Sequence, residues 1–141
     1  MKRGFTMIEL IFVIVILGIL AAAAIPRLAA TRDDAEVAKV ASNIQTLISD
    51  LGSYYTSQGK FSTNIADMTN VKTPVMAKDQ SCLDVTAPAA DAQAISVTIH
   101  NTTNSGLCAQ VWSLPGLANI AHMISSNNNS LKFGGMGVKY E

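Results

Sequence analysis

Met1-Lys-Arg-Gly-Phe5-Thr-Met-Ile-Glu9-Leu10, continuing as Ile-Phe-Val-Ile-Val-Ile-Leu-Gly18-Ile-Leu-Ala-Ala-Ala-Ala24-Ile25-Pro26, is the stretch from which the rest of the chain is read. Two cations precede an apolar span, and a single carboxylate, Glu9, lies near the front of that span. Counted from Phe5 to Ile25 the span holds about 21 residues, enough to cross about 30 Å of hydrocarbon as a helix. Val13-Ile14-Val15-Ile16 would count against a helix in water. In lipid the backbone has no partner outside the helix, and that requirement overrides side-chain preference. Lys2 and Arg3 orient the segment with its N-terminus in the cytoplasm and everything after Pro26 exported. An acid in such a span costs about 2.5–3.5 kcal/mol near the bilayer centre and less toward the interface, and is a functional candidate by default. The bland alternative for Glu9 is an interfacial acid that escapes most of that cost.

Beyond Pro26, which lacks an N–H and weakens or kinks a helix, the pattern stays helical but becomes one-sided. Val37, Val40, Ala41, Ile44, Leu47, Ile48, Leu51, Tyr54 and Tyr55 recur at three- and four-residue steps, with Arg32, Asp33, Asp34, Glu36, Lys39, Gln45 and Asp50 on the opposite face. That periodicity predicts an amphipathic helix, with Gly59 as its stop. Asn64 to Met68 predicts a short helical turn inside an otherwise irregular connection from Lys60 to Asp91. Ile95, Val97 and Ile99 alternate with Ser96 and Thr98 as a half-buried strand. Leu107 to Leu114 alternates again, so the sequence predicts an antiparallel hairpin of these two strands around the turn at Asn101–Gly106. Leu117, Ile120, Ala121 and Ile124 fit a short helix. Leu131, Phe133, Val138 and Tyr140 around Gly134–Gly137 suggest a last strand or a glycine-rich hairpin. A sheet with one apolar face and a helix with one apolar stripe bury each other. The expected fold is therefore α+β: a long N-terminal helix, half membrane span and half amphipathic, packed on a small antiparallel sheet in the outline of a ladle. Residues 1–4 are expected as a leader, 5–25 as the membrane and assembly helix, and 26–141 as the exported globular part.

The chain has 141 residues, 49% of them hydrophobic and only 14% charged, with a formal net charge of zero. There is room for one small domain, and no basic field argues for nucleic acid. His100 and His122, the two histidines, fall on different predicted elements. No zinc-protease, serine-hydrolase or phosphate-loop spacing occurs, so no catalytic, cofactor-binding or metal site is assigned. Asp79, Asp84 and Asp91 offer oxygen ligands without EF-hand spacing, and Asn101 and Asn128 begin sequons of a kind frequent by chance. Cys82 and Cys108 match no zinc or redox motif; in an oxidising compartment they are expected to form a disulfide. Gly18 and Ala22 supply small surfaces for close helix–helix approach. If the first four residues were removed, Phe5 would carry a new α-amine one helical turn from Glu9. In a low-dielectric setting that pair disfavours wrong registers, because an unpaired charge is worse than a pair. The rival reading is an ordinary signal peptide cut near Ala21–Ala24, releasing a secreted or periplasmic binding module.

Lys2-Arg3-Gly4-Phe5-Thr6-Met7-Ile8-Glu9-Leu10, with the helix that runs on through Gly18 to Pro26, resembles the prepilin leader and first helix of the type IV pilin superfamily, which includes the pseudopilins of type II secretion. The resemblance covers about the first 35 residues; the remainder resembles the family in architecture alone. It implies cleavage by a prepilin peptidase between Gly4 and Phe5, N-methylation of Phe5, and pairing of Glu9 with the N-terminus of a neighbouring subunit. Pro26 falls where such helices are often bent or locally melted. The partners implied are like or unlike filament subunits, prepilin peptidase, an inner-membrane assembly platform and membrane lipid. The chain would sit in the inner membrane first, then in a periplasmic or extracellular filament, with no enzymatic activity. Two departures from the family's patterns bear on subclass. Cys108 lies some thirty residues from the last residue, unlike the C-terminal disulfide of type IVa major pilins. Glu141 is the sole acid after Asp91, which does not match the C-terminal calcium site of major pseudopilins. The small domain and the disulfide placement favour a pseudopilin over an adhesive pilin.

Overall fold

The computed structural model describes residues 4–103 and 105–134. Helix α1 spans Met7–Gln58, and the chain divides into two compact units whose boundary, Ala35/Glu36, falls within that helix. In the first unit the stretch from Gly4 to Thr31 has no buried residue, and α1 is long and apolar enough there to cross a membrane. Its large side chains, among them Phe12, Ile14, Ile16, Leu20 and Ile25, face outward. Such an apolar surface is stable only when lipid or other protein covers it.

The second unit is built on the remainder of α1. Val37, Val40, Ala41, Ile44, Leu47 and Leu51 are buried, and Ile48, Tyr54 and Tyr55 pack half-buried beside them, as the periodicity predicts. Full burial of a side chain such as Ile44 or Leu47 contributes about 1.5–3 kcal/mol. Gly59 ends the helix with φ +71°, its N–H donating to the Tyr55 carbonyl at 2.7 Å. This left-handed closing position is one a side chain would strain. The expected helical turn follows as a 3₁₀ turn at Ile65–Asp67, started by Asn64, whose side chain accepts from the Ala66 N–H. Thr69 returns the loop to α1: its buried hydroxyl donates to Asp50 at 2.6 Å and accepts from the Val71 N–H at 3.1 Å.

Strands β1 (Val75–Ala77), β2 (Gln80–Thr86), β3 (Ile95–Ile99) and β4 (Ser130–Leu131) form one antiparallel sheet in sequential order. Leu83 opposes Ile99, Val85 opposes Val97, and Ile95 opposes Leu131. The hydrophobic core joins α1 to the sheet face carrying Val75, Ala77, Leu83, Val85, Ile95 and Val97. Two sequence expectations are corrected here. The stretch from Lys60 to Asp91 is not an irregular connection, since it contains β1 and β2. Their period was hidden because β1 is three residues long and because Cys82 and Leu83, adjacent in β2, are both buried. The segment Leu107–Ser113 is a helix, α2, not the second strand of a hairpin. Cys108, Val111 and Trp112 are its buried face, and a short run containing them satisfies a helical period as well as an alternating one. The partners of β3 are β2 and β4 instead.

Helix α3 covers Pro115–Ser126, with Leu117 and Ile124 buried and Ile120 and Ala121 half-buried. Pro115, which reads as a breaker, starts this helix; at the first helical position its missing N–H is no loss. Asn128 and Asn129, at φ 55° and 56°, turn the chain back into β4. Leu131 lies in β4 and Phe133 just beyond it; Val138, Tyr140 and Gly135–Gly137, expected in a last strand or hairpin, lie outside the described residues.

Cys82 and Cys108 are disulfide-bonded with their Cα atoms 5.1 Å apart, both fully buried. The bridge fastens β2 to the first turn of α2, and the Trp112 indole N–H donates to the Cys82 carbonyl at 3.3 Å across the same contact. Phe133 crosses α1 at Gly52, where an added Cβ would sit 3.0 Å and 3.2 Å from two ring carbons. The ring is also edge-on to Phe61, at 6.1 Å between centroids. Gly52→Val is expected to push Phe133 off the helix and destabilise this unit by about 1–3 kcal/mol, as overpacking does. Thermal unfolding checks it, and an unchanged midpoint would show that the close approach carries no weight.

Candidate functional site

The N-terminal end of α1 is organised by Thr6 and Glu9. Gly4, Phe5 and Thr6 are not helical, and the first helical residue is Met7, which places Thr6 at the N-cap and Glu9 at the third helical position. The Thr6 hydroxyl accepts from the Glu9 N–H at 3.2 Å. In return one Glu9 carboxylate oxygen, Oε2, accepts from the Thr6 N–H at 3.0 Å and from its hydroxyl at 3.2 Å. This is a reciprocal capping box, in which two of the orphan donors of a helix start are satisfied by side chains. The carboxylate also sits at the positive end of the helix dipole. The Thr-x-x-Glu spacing that signals it stands in the sequence at Thr6–Glu9, although the cap is not among the sequence expectations.

Two consequences follow from the cap. The Gly4–Phe5 peptide bond lies ahead of the helix, and Phe5 is 90% exposed. Glu9, four residues after Phe5, is also held pointing back toward the N-terminus against Thr6, with Oε1 accepting nothing among the described residues. A carboxylate fixed in that direction is placed to meet an amine at the start of this chain or at the start of another.

The other singled-out positions divide between the two units. A Cβ at Gly18 would meet nothing within 4 Å, so nothing in this chain requires a glycine there. Gly18 lies nine residues after Glu9, about two and a half turns, which puts it and Ala22 on the face opposite the carboxylate. Pro26 lies inside α1, which runs through it; the Ala22 carbonyl loses its helical donor there. Cys82 and Cys108 belong to the second unit. Among the described residues no group of three or more His, Cys, Asp or Glu side chains is gathered for a metal ion, so Asp79, Asp84 and Asp91 are not brought together as one. His100 is half-buried beyond the end of β3 and His122 is exposed on α3.

The first 25 residues match the family model of the prokaryotic N-terminal methylation motif. Over 62 residues the chain is 42% identical to the type II secretion system core protein G of Klebsiella michiganensis, covering 44% of each chain. The same-named protein of Dickeya chrysanthemi is 39% identical over 62 residues, 44% of this chain and 40% of that one. That of Klebsiella pneumoniae is 37% identical over 62 residues, 44% of each. The chain thus matches less than half the length of these relatives, and no solved structure matches it. What the chain shares with these pseudopilins is thus its N-terminal part: the methylation motif of residues 1–25 and a similarity over about 60 residues.

Proposed function

We propose that this protein is a structural subunit, a pseudopilin, of a type II secretion or type IV pilus-like filament, and that it assembles through its N-terminal helix. The observation that carries the reading is the combination on one helix of a fully exposed apolar surface and a held carboxylate at its first turn, within a segment matching the methylation motif. A prepilin peptidase would cut between Gly4 and Phe5, in the extended stretch ahead of the capped helix, and methylate the new amine of Phe5. The apolar surface first lies in the inner membrane, with the N-terminus cytoplasmic, and then against the helices of neighbouring subunits, like or unlike. In that low-dielectric bundle Glu9 pairs with a neighbour's methylated amine, since a charge left alone there is strongly disfavoured. Gly18 and Pro26 contribute close approach and local pliability. The role is assembly with other subunits and with an inner-membrane platform, and no chemistry is assigned to any side chain.

The rival, a binding module freed by ordinary signal peptidase, would be cut near Ala24, in the interior of α1. Intact-mass and N-terminal sequence analysis of the protein purified from its own host separates the two. A mature chain beginning with methylated Phe5 is expected, and a chain beginning after Ala24 would overturn the proposal.

A further inference from the structure

Beyond the apolar span, α1 carries several charged side chains. Glu36 is occupied within the second unit: it accepts from the Lys78 backbone N–H at 3.4 Å and pairs with Lys39 at 3.8 Å. Arg27 and Asp34 are different. Both are exposed, and among the described residues neither side chain makes a hydrogen bond or ion pair. They stand seven residues apart on one helix, which is about two turns, so they lie on the same face about 10.5 Å from each other. That separation is too long for the two side chains to pair well within one chain, where helical partners lie three or four residues apart. Both follow Pro26, so the proline does not disturb their mutual geometry. Glu9 is eighteen residues before Arg27, about five full turns, and falls on the same face again. Arg32, by contrast, is rotated about 140° from Arg27 and is off this stripe.

Resting on the reading of α1 as a filament helix, we propose that Arg27 of one copy pairs with Asp34 of a neighbouring copy, fixing a stagger of two helical turns between parallel N-terminal helices. The occupant of this face is a second copy of the chain because the stripe is self-complementary. A cation and an anion at fixed spacing on one face find their counterparts on an identical, parallel helix shifted by that spacing. An anionic lipid surface would attract Arg27 but repel Asp34. The same shift leaves a neighbour's Phe5 amine within about 5 Å along the axis of the level of Glu9, in the reach of a glutamate side chain. Both contacts would then be made by one arrangement, the ion pair within the apolar bundle at the cytoplasmic end and the solvent-facing pair at the other. The second pair is screened by salt, whereas the first is not.

The test uses full-length chains in their own host, with filaments sheared from the cells and quantified. R27D alone and D34R alone are each expected to lower filament yield about tenfold or more, because each sets like charges against each other at every junction. Expressed together, the two variants should restore the yield. In alternation every junction again joins opposite charges, although each chain by itself carries two like charges. As an independent measure, chains with R27C and chains with D34C are expressed together. They should form a disulfide-linked dimer in filaments that neither chain forms alone, and Cys82 and Cys108 are already bonded to each other and leave no free thiol to confuse it. Failure of the mixed population to recover, together with absence of the dimer, overturns the stagger. So does a loss that follows Arg27 alone whatever stands at position 34, which would indicate a lipid headgroup. If methyl-Phe5 and Glu9-dependent filaments are found while the charge variants behave as wild type, the stagger falls and the filament reading stands. If the unaltered chain forms no filament, both fall together.

Discussion

Glu9→Val is expected to insert into the membrane at least as well as the unaltered chain and yet to be nearly absent from filaments. Two effects of the substitution must be separated. Within the chain, loss of the carboxylate removes two hydrogen bonds of the capping box and the charge at the helix start. Cap losses of this kind amount to about 1 kcal/mol and fray the first turn of the helix. Removing an acid from an apolar span meanwhile makes insertion easier. Between chains, the proposed pairing would leave the neighbour's amine as an uncompensated charge inside a helix bundle, and breaking a buried pair in that way costs about 3–5 kcal/mol. At 1.4 kcal/mol per factor of ten, that is about a hundredfold or more in incorporation. Thr6→Ala separates the two effects, because it deletes the cap hydroxyl and keeps the carboxylate. It should assemble at close to the normal level. Membrane fractionation together with sheared-filament yield measures both quantities, and a normal filament yield from Glu9→Val would remove the pairing role.

The second large effect is expected from removing the disulfide. Cys82 and Cys108 close a loop with a sequence separation of 26, for which the chain-entropy model gives about 3.5 kcal/mol. For a unit of about 100 residues that is equivalent to a fall in Tm of roughly 15 °C or more. The double variant Cys82→Ala, Cys108→Ala should show that fall, and reductant should reproduce it in the unaltered chain while leaving the variant unchanged. The damage has a predictable location. Without the bridge, α2 is held to β2 chiefly by the Trp112 indole bond to the Cys82 carbonyl and by the burial of Val111 and Trp112. Trp112 is the sole tryptophan, so its fluorescence reports the separation of α2 from the sheet directly. A Tm within a few degrees of the unaltered value would mean that packing alone holds α2.

Most of the helical architecture was readable from residue order. The apolar face of α1 from Val37 to Tyr55 was legible because its signal repeats over five turns of one element, so local periodicity and burial agree at every step. The same holds for α3 and for the alternation in β3. The candidate site was legible for a related reason. Glu9 in an apolar span is a short-range feature that stands out in the sequence, whereas its reciprocal cap with Thr6 is shown by the structure. What failed was the short segments. Leu107–Ser113 and Val75–Thr86 carry seven or fewer residues per element, and each pattern fits more than one period.

By itself, then, the sequence determined the membrane-length helix, its carboxylate, its amphipathic continuation, and the presence of a small sheet to cover it. Tertiary structure decided that Leu107–Ser113 is helical, that β3 pairs with β2 and β4, and that Gly52 lies beneath Phe133. It also brought Cys82 to Cys108. The division follows the range of the forces involved. Helix formation and capping are settled by residues within one turn of each other. A short strand or a two-turn helix is too small to hold its own conformation, and takes the one in which a distant part of the chain buries its apolar face.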